Sequence, residues 1–140
     1  MKKFLLMLGF LTTIPLKIDA KDSDLGEGLV FAIPVGLVIG GILAAFNYLS
    51  AFFLPPLACA VLLNIVYVML TGGLHLDGLA DTFDGIFSHR TRERMLEIMK
   101  DSRVGSNAVI ALVSILLLNT ALYYEVEKYR IIMLVLMPVA

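Results

Sequence analysis

Residues Leu29–Leu54 run without one charged side chain. A transmembrane helix needs about 20 mostly apolar residues, so this run is long enough to cross a bilayer. Two further uncharged runs follow, Leu57–Gly73 and Val104–Tyr124. The first is close to the lower limit of about 17 residues. Pro55 and Pro56 separate the first two runs and predict a tight hairpin, because proline cannot continue a helix. A fourth apolar run, Ile131–Ala140, is only ten residues long. The expected fold is all-α: a multi-pass helical membrane protein of about three full spans plus an unfinished fourth.

Composition agrees. The 140 residues are 59% hydrophobic and 16% charged, against roughly 45–50% and about 25% in ordinary globular proteins. That excludes a disordered chain, and a water-soluble domain of this size lacks the interior to hide so much apolar surface. The net charge of −1 gives no reason to expect nucleic acid as a partner. The one cysteine, Cys59, excludes an internal disulfide.

The amino end, Met1–Leu16, carries Lys2 and Lys3 before the apolar Phe4–Leu11, like the start of a signal peptide. It lacks a small-residue cleavage site, so a short helix lying at the membrane surface or dipping into it is expected. Basic residues set sidedness. Lys2, Lys3, Lys17 and Lys21 precede the first span, and Arg90, Arg92, Arg94, Lys100 and Arg103 lie between the second and third. Only Lys128 and Arg130 fall on the opposite side, nine against two. The amino end and Leu74–Arg103 are therefore expected in the cytoplasm, with the chain in the cell (inner or plasma) membrane. Gly36 and Gly40, just after Pro34, form a GxxxG pair suited to close helix packing. Asn47, Asn64 and Asn119 are expected to hydrogen-bond to neighbouring helices.

The segment from Leu74 to Arg103 differs in kind. On a helix at 100° per residue, Asp77, Asp81 and Asp84 fall at about 0°, 40° and −20°. Gly78, Thr82 and Gly85 occupy the adjoining sector, and Leu76, Leu79, Ala80, Phe83, Ile86 and Phe87 the far side. Like charges at this spacing cost about 0.2–0.5 kcal/mol per pair on an exposed helix, and more where water is scarce. A divalent cation removes the conflict. Mg²⁺ is usually held by one or two carboxylates, substrate phosphates and water. Glycines beside the stripe would let a bulky substrate approach the backbone. His75 lies at about 160° on the same wheel, and is read as a helix cap or a proton shuttle. A second, basic amphipathic helix is expected over Arg90–Arg103, with Met95, Ile98 and Met99 on one face. Arg90 and Arg103 bracket it and suit bidentate phosphate binding. Asp101-Ser102-Arg103-Val-Gly105 reads as a phosphate-contacting turn. These residues alone describe a membrane enzyme whose acids hold Mg²⁺ and act on a phosphate or diphosphate.

The stretch Leu70-Thr-Gly-Gly-Leu-His-Leu-Asp-Gly-Leu-Ala-Asp-Thr-Phe-Asp-Gly-Ile-Phe-Ser88, with Arg92-Glu-Arg-Met-Leu-Glu-Ile-Met-Lys-Asp-Ser-Arg-Val-Gly105, resembles the cobalamin synthase family, the adenosylcobinamide-GDP ribazoletransferases. Phe10-Leu-Thr-Thr-Ile-Pro15 and the Pro34-Val-Gly36…Gly40 run fit the same family. The resemblance covers the whole chain. It implies a multi-pass membrane enzyme that uses Mg²⁺ to join adenosylcobinamide-GDP to α-ribazole or its 5′-phosphate, releasing GMP. It further implies Mg²⁺ on Asp77, Asp81 and Asp84, proton transfer by Asp84 or His75, and offset of charge on GMP by Arg90, Lys100 and Arg103. Gly78, Gly85, Asp101, Ser102 and Gly105 complete the expected substrate contacts. Family members are longer, so residues 1–140 are expected to form one membrane domain, the amino-terminal half of a larger enzyme. On that expectation the chain alone makes no cobalamin, and self-associates or recovers activity only when the carboxyl-terminal spans are co-expressed. Asp77-Gly78-x-Ala80 also echoes the CDP-alcohol phosphotransferases, an alternative reading, as is an inactive truncated synthase.

Overall fold

The computed structural model describes residues 2–16 and 22–129. Among them all regular structure is helical: α1 (Lys2–Leu11), α2 (Asp22–Gly28), a 3₁₀ turn (Leu29–Phe31), α3 (Ala32–Ser50), α4 (Pro56–Thr71), α5 (Leu74–Ile86), α6 (Arg92–Ile98) and α7 (Ser106–Tyr129). Among the described residues two helical stretches are long and apolar enough to cross a membrane, Leu25–Ser50 and Ser106–Glu125. Only 33% and 17% of these is buried inside the protein, so most of their apolar side chains face outward. That is costly in water but expected in lipid, and the chain is a multi-pass helical membrane protein. The second expected span is short: α4 has 16 residues. The expected fourth, Ile131–Ala140, lies outside the described residues.

The described helices form two compact units, one of α1 to α4 with α7 from residue 120 onward, the other of residues 73–119. In the first, the core gathers Met7, Val35, Ile39, Leu43, Ala44, Ala60, Leu63 and Tyr123. Gly36 and Gly40 are buried on the same face of α3 as Leu43 and Asn47, as the GxxxG spacing requires. Helix α3 stops at Ser50, and Ala51–Leu54 turn toward the prolines. Pro55 is extended (φ −69°, ψ 153°), and Pro56 opens α4, where a missing N–H costs nothing. The expected hairpin forms, with α4 packed on α3. The amide of Asn64 donates to Thr120 Oγ1 at 2.7 Å, joining α4 to α7 as expected for a polar group in an apolar run.

The expected short amino-terminal helix forms as α1, and it is tied into the bundle. It packs on α3, and Met7 is among the most deeply buried side chains of the protein. Its other face is open, with Phe10 52% exposed. Thr13, just beyond α1, donates its N–H to the Leu70 carbonyl at 2.8 Å and its hydroxyl to the Met69 carbonyl at 3.0 Å. Those carbonyls belong to the last turn of α4, where helical partners run out. The short, apolar α1 is thus a structural member of the bundle.

Helix α4 ends because Gly72 and Gly73 both take left-handed backbone, φ 64° and 72°. Only glycine adopts two such residues in succession without strain. The break leaves α5 free to begin at Leu74 as a separate helix.

Candidate active site

The second unit holds the residues expected to carry the chemistry. Asp77 sits in the first turn of α5, where the helix dipole favours a negative charge. Asp81 and Asp84 follow on the same face, both partly buried. Ala80 and Gly85 are the buried residues of the helix. After α5 the chain turns through His89, a non-glycine residue at φ 52°. Helix α6 covers only Arg92–Ile98, with Thr91 as its N-cap. This corrects the longer helix expected over Arg90–Arg103. Helical hydrogen bonding gives way to a turn at Lys100, so Lys100, Asp101, Ser102 and Arg103 are carried by a loop.

That loop faces the acidic stripe across a cleft of ≈ 320 Å³. Asp77, Asp81, Asp84, Lys100, Asp101, Ser102 and Arg103 all line it. Seven of the residues expected at the site therefore meet in one place. A second, more open cleft of ≈ 380 Å³ shares Asp84, Asp101 and Arg103 and adds Ser88, Gly105, Ser106 and Asn107. Sequence pattern does not single out Ser88, Ser106 or Asn107 as site residues. The only signal there is a polar pair directly after the Gly105 turn.

Other expected site residues stand elsewhere. His75 and Arg90 are exposed and line neither cleft. Gly85 does not leave room for substrate: a Cβ there would lie 2.5 Å from Met99 Cε and 2.6 Å from Met99 Cγ. Its missing side chain accommodates the methionine after α6. Gly78 keeps open space, with nothing within 4 Å of where a Cβ would stand.

Asp84 differs from its two partners. Gly105 N–H donates to its Oδ2 at 2.6 Å and Ala108 N–H to its Oδ1 at 2.8 Å. Arg103 also has a partner. Its Nε and Nη2 grip Asp101 at 3.0 and 2.6 Å, and its own N–H donates to Asp101 Oδ1 at 3.1 Å. These hydrogen bonds, side-chain first, hold the Asp101 carboxyl down to about 2, and Asp101 in turn raises the Arg103 guanidinium. A carboxyl depressed in the folded chain holds its contribution above its ordinary value near 4 and loses it as pH falls toward 2. The Asp101 carboxyl carbon should accordingly titrate by NMR near pH 2. A midpoint at 4 would mean the pair does not form.

The cleft presents four carboxylates against two cations, and neither histidine nor cysteine lines it. Such an oxygen-only, net-negative set suits a hard divalent cation such as Mg²⁺. Among the described residues no three His, Cys, Asp or Glu side chains gather closely enough to hold a metal by themselves. A cation there would take one or two carboxylates and complete its shell with water and ligand oxygens, the usual arrangement for Mg²⁺.

Comparison with known proteins identifies the lineage. The family model for cobalamin-5-phosphate synthase matches residues 3–140. The chain belongs to that family. The cobalamin-5-phosphate synthase match spans α1, both clefts and α7 alike. A protein of Acetivibrio thermocellus called adenosylcobinamide-GDP ribazoletransferase is 60% identical over 124 residues, 87% of this chain and 50% of its own length. Proteins of the same name from Clostridium acetobutylicum and Clostridioides difficile are 46% and 42% identical, over 99% and 90% of this chain. They are covered over 56% and 49% of their own lengths. The chain thus spans about half the length of the curated relatives it matches. No solved structure matches it.

Proposed function

We propose that this chain supplies the acidic, phosphate-handling part of a membrane transferase of late vitamin B12 synthesis. The reaction joins adenosylcobinamide-GDP to α-ribazole, or its 5′-phosphate, and releases GMP. The observation that carries the reading is the cleft in which Asp77 and Asp81 face Lys100 and Arg103, within a segment that matches the synthase family.

The ribazole hydroxyl oxygen bonds to the phosphorus on the corrinoid arm, and the bond from that phosphorus to the bridging oxygen breaks. GMP leaves with the bridging oxygen, and the hydroxyl proton passes to a cleft carboxylate. Asp77 and Asp81 would hold Mg²⁺, which supplies charge neutralisation to the diphosphate when bound. Lys100 lies in the same cleft to offset charge growing on the departing GMP. Arg103 contributes by exchanging Asp101 for a phosphate, since a guanidinium forks equally well onto either. His75 stands exposed outside the clefts, which leaves the aspartates as the nearer proton acceptors.

The direct assay continues the chain with the carboxyl-terminal half of the Acetivibrio relative and supplies both substrates. Mg²⁺-dependent formation of the cobalamin product and GMP is expected. Binding without turnover at saturating Mg²⁺ would overturn the reading. The clefts are further proposed to face the cytoplasm, on the basic-residue tally. With Cys59 replaced by Ala, a membrane-impermeant thiol reagent on intact cells should label Phe53→Cys and spare Glu93→Cys. The reverse pattern would invert the topology.

A further inference from the structure

We propose that Asp84 is a positioning residue: its carboxylate caps α7 and so holds the 101–105 loop opposite Asp77 and Asp81. The importance of that positioning rests on the reading of the cleft as the reacting site; the cap itself does not.

A helix leaves its first N–H groups without partners, and a polar residue at the N-cap usually accepts from N2 or N3. Helix α7 begins at Ser106, so the N-cap is Gly105, which has no side chain. The first turn of α7 holds no acid. In the common capping box, the N-cap side chain takes the N3 N–H while the N3 side chain takes the N-cap N–H. Here N3 is Ala108, which offers no acceptor. Asp84 performs both halves at once: one oxygen accepts from the N-cap N–H and the other from the N3 N–H. The carboxylate comes from another helix, 21 and 24 residues earlier in the chain.

The surroundings fit that use. A Cβ on Gly105 would lie 2.5 Å from Asp84 Oδ1 and 2.8 Å from its Cγ. The absent side chain is therefore the space the carboxylate occupies. Ala108 is fully buried. The negative charge also meets the positive end of the α7 dipole. With Asp84 engaged in this way, Asp77 and Asp81 are the stripe carboxylates of the cleft left for a cation.

The test uses the 140-residue chain in detergent, with two readouts: amide exchange at Gly105 and Ala108, and affinity for Mn²⁺ alone as a probe. Asp84→Ala should speed both amides at least tenfold and change Mn²⁺ affinity less than threefold. Asp84→Asn, which keeps one acceptor oxygen, should restore part of the protection and covers the case in which the alanine variant fails to fold. Asp81→Ala should leave the exchange unchanged and weaken Mn²⁺ at least tenfold. Unchanged exchange in both Asp84 variants, with Mn²⁺ weakened as much as in Asp81→Ala, would overturn the proposal. Should the wild-type chain bind no Mn²⁺, the metal reading under the proposed function fails. The exchange readout then still decides the cap by itself, upholding it if faster and overturning it if unchanged.

Discussion

Asp81→Ala, in the chain continued by the carboxyl-terminal half of a relative, is expected to lower turnover at least tenfold, about 1.4 kcal/mol of barrier. Asp77→Ala should do the same. Both carboxylates line the cleft that also holds Lys100 and Arg103. They stand one helical turn apart on α5, where mutual repulsion makes them a poor choice for stability alone. Removing Asp81 relieves that repulsion, so Asp81→Ala should be at least as stable as the parent while losing activity. This opposition of signs separates a reacting role from a structural one. The loss should appear in the chemical step and in the Mg²⁺ requirement. Glu125→Ala, on an exposed site near the end of α7, is the control and should retain full turnover. Equal activity in all three variants would remove the aspartates from the site.

Gly105→Ala is expected to destabilise the second unit by about 2 kcal/mol, the scale of losing a helix cap together with a charge-assisted hydrogen bond. The new methyl would collide with the Asp84 carboxylate rather than with a yielding side-chain tip. The carboxylate must move, and the N–H groups of Gly105 and Ala108 lose their acceptor. Gly78→Ala is the contrasting substitution. Nothing lies within 4 Å of the added carbon, and alanine is the better helix former by about 1 kcal/mol, so this variant should be more stable. Thermal unfolding in detergent should rank Gly78→Ala above the parent and Gly105→Ala below it. The double variant Asp84→Ala/Gly105→Ala should be little worse than Asp84→Ala alone, because the second change removes an interaction already lost. Additive losses would show that the two residues act independently.

Much of the bundle was legible because its signals are local. Charge-free runs near the length of a bilayer, the Pro55–Pro56 break and the GxxxG pair each act through a few neighbouring residues. The acidic stripe was equally legible, since helical geometry puts Asp77, Asp81 and Asp84 on one face whatever surrounds them. The length of α6 was less so. Arg90 to Arg103 carries a helical pattern, but the Asp101 carboxylate offers the Arg103 side chain and backbone a tighter local partner, and the helix yields to that loop.

The amino-acid sequence by itself determined the all-helical membrane class and the placing of Asp77, Asp81 and Asp84 on one helix face, through periodicity and composition within a turn or two. Tertiary structure decided where such residues stand and what they touch. It drew Met7 of a signal-like helix into the core, filled the space at Gly85 with Met99, and left His75 outside the clefts. It also separated Asp84 from two aspartates that look identical on a helical wheel. The reason is physical: a wheel shows only which way a side chain leaves its own helix. Whether it meets a cation, a solvent or the bare N–H groups of α7 depends on which distant backbone the fold brings to it.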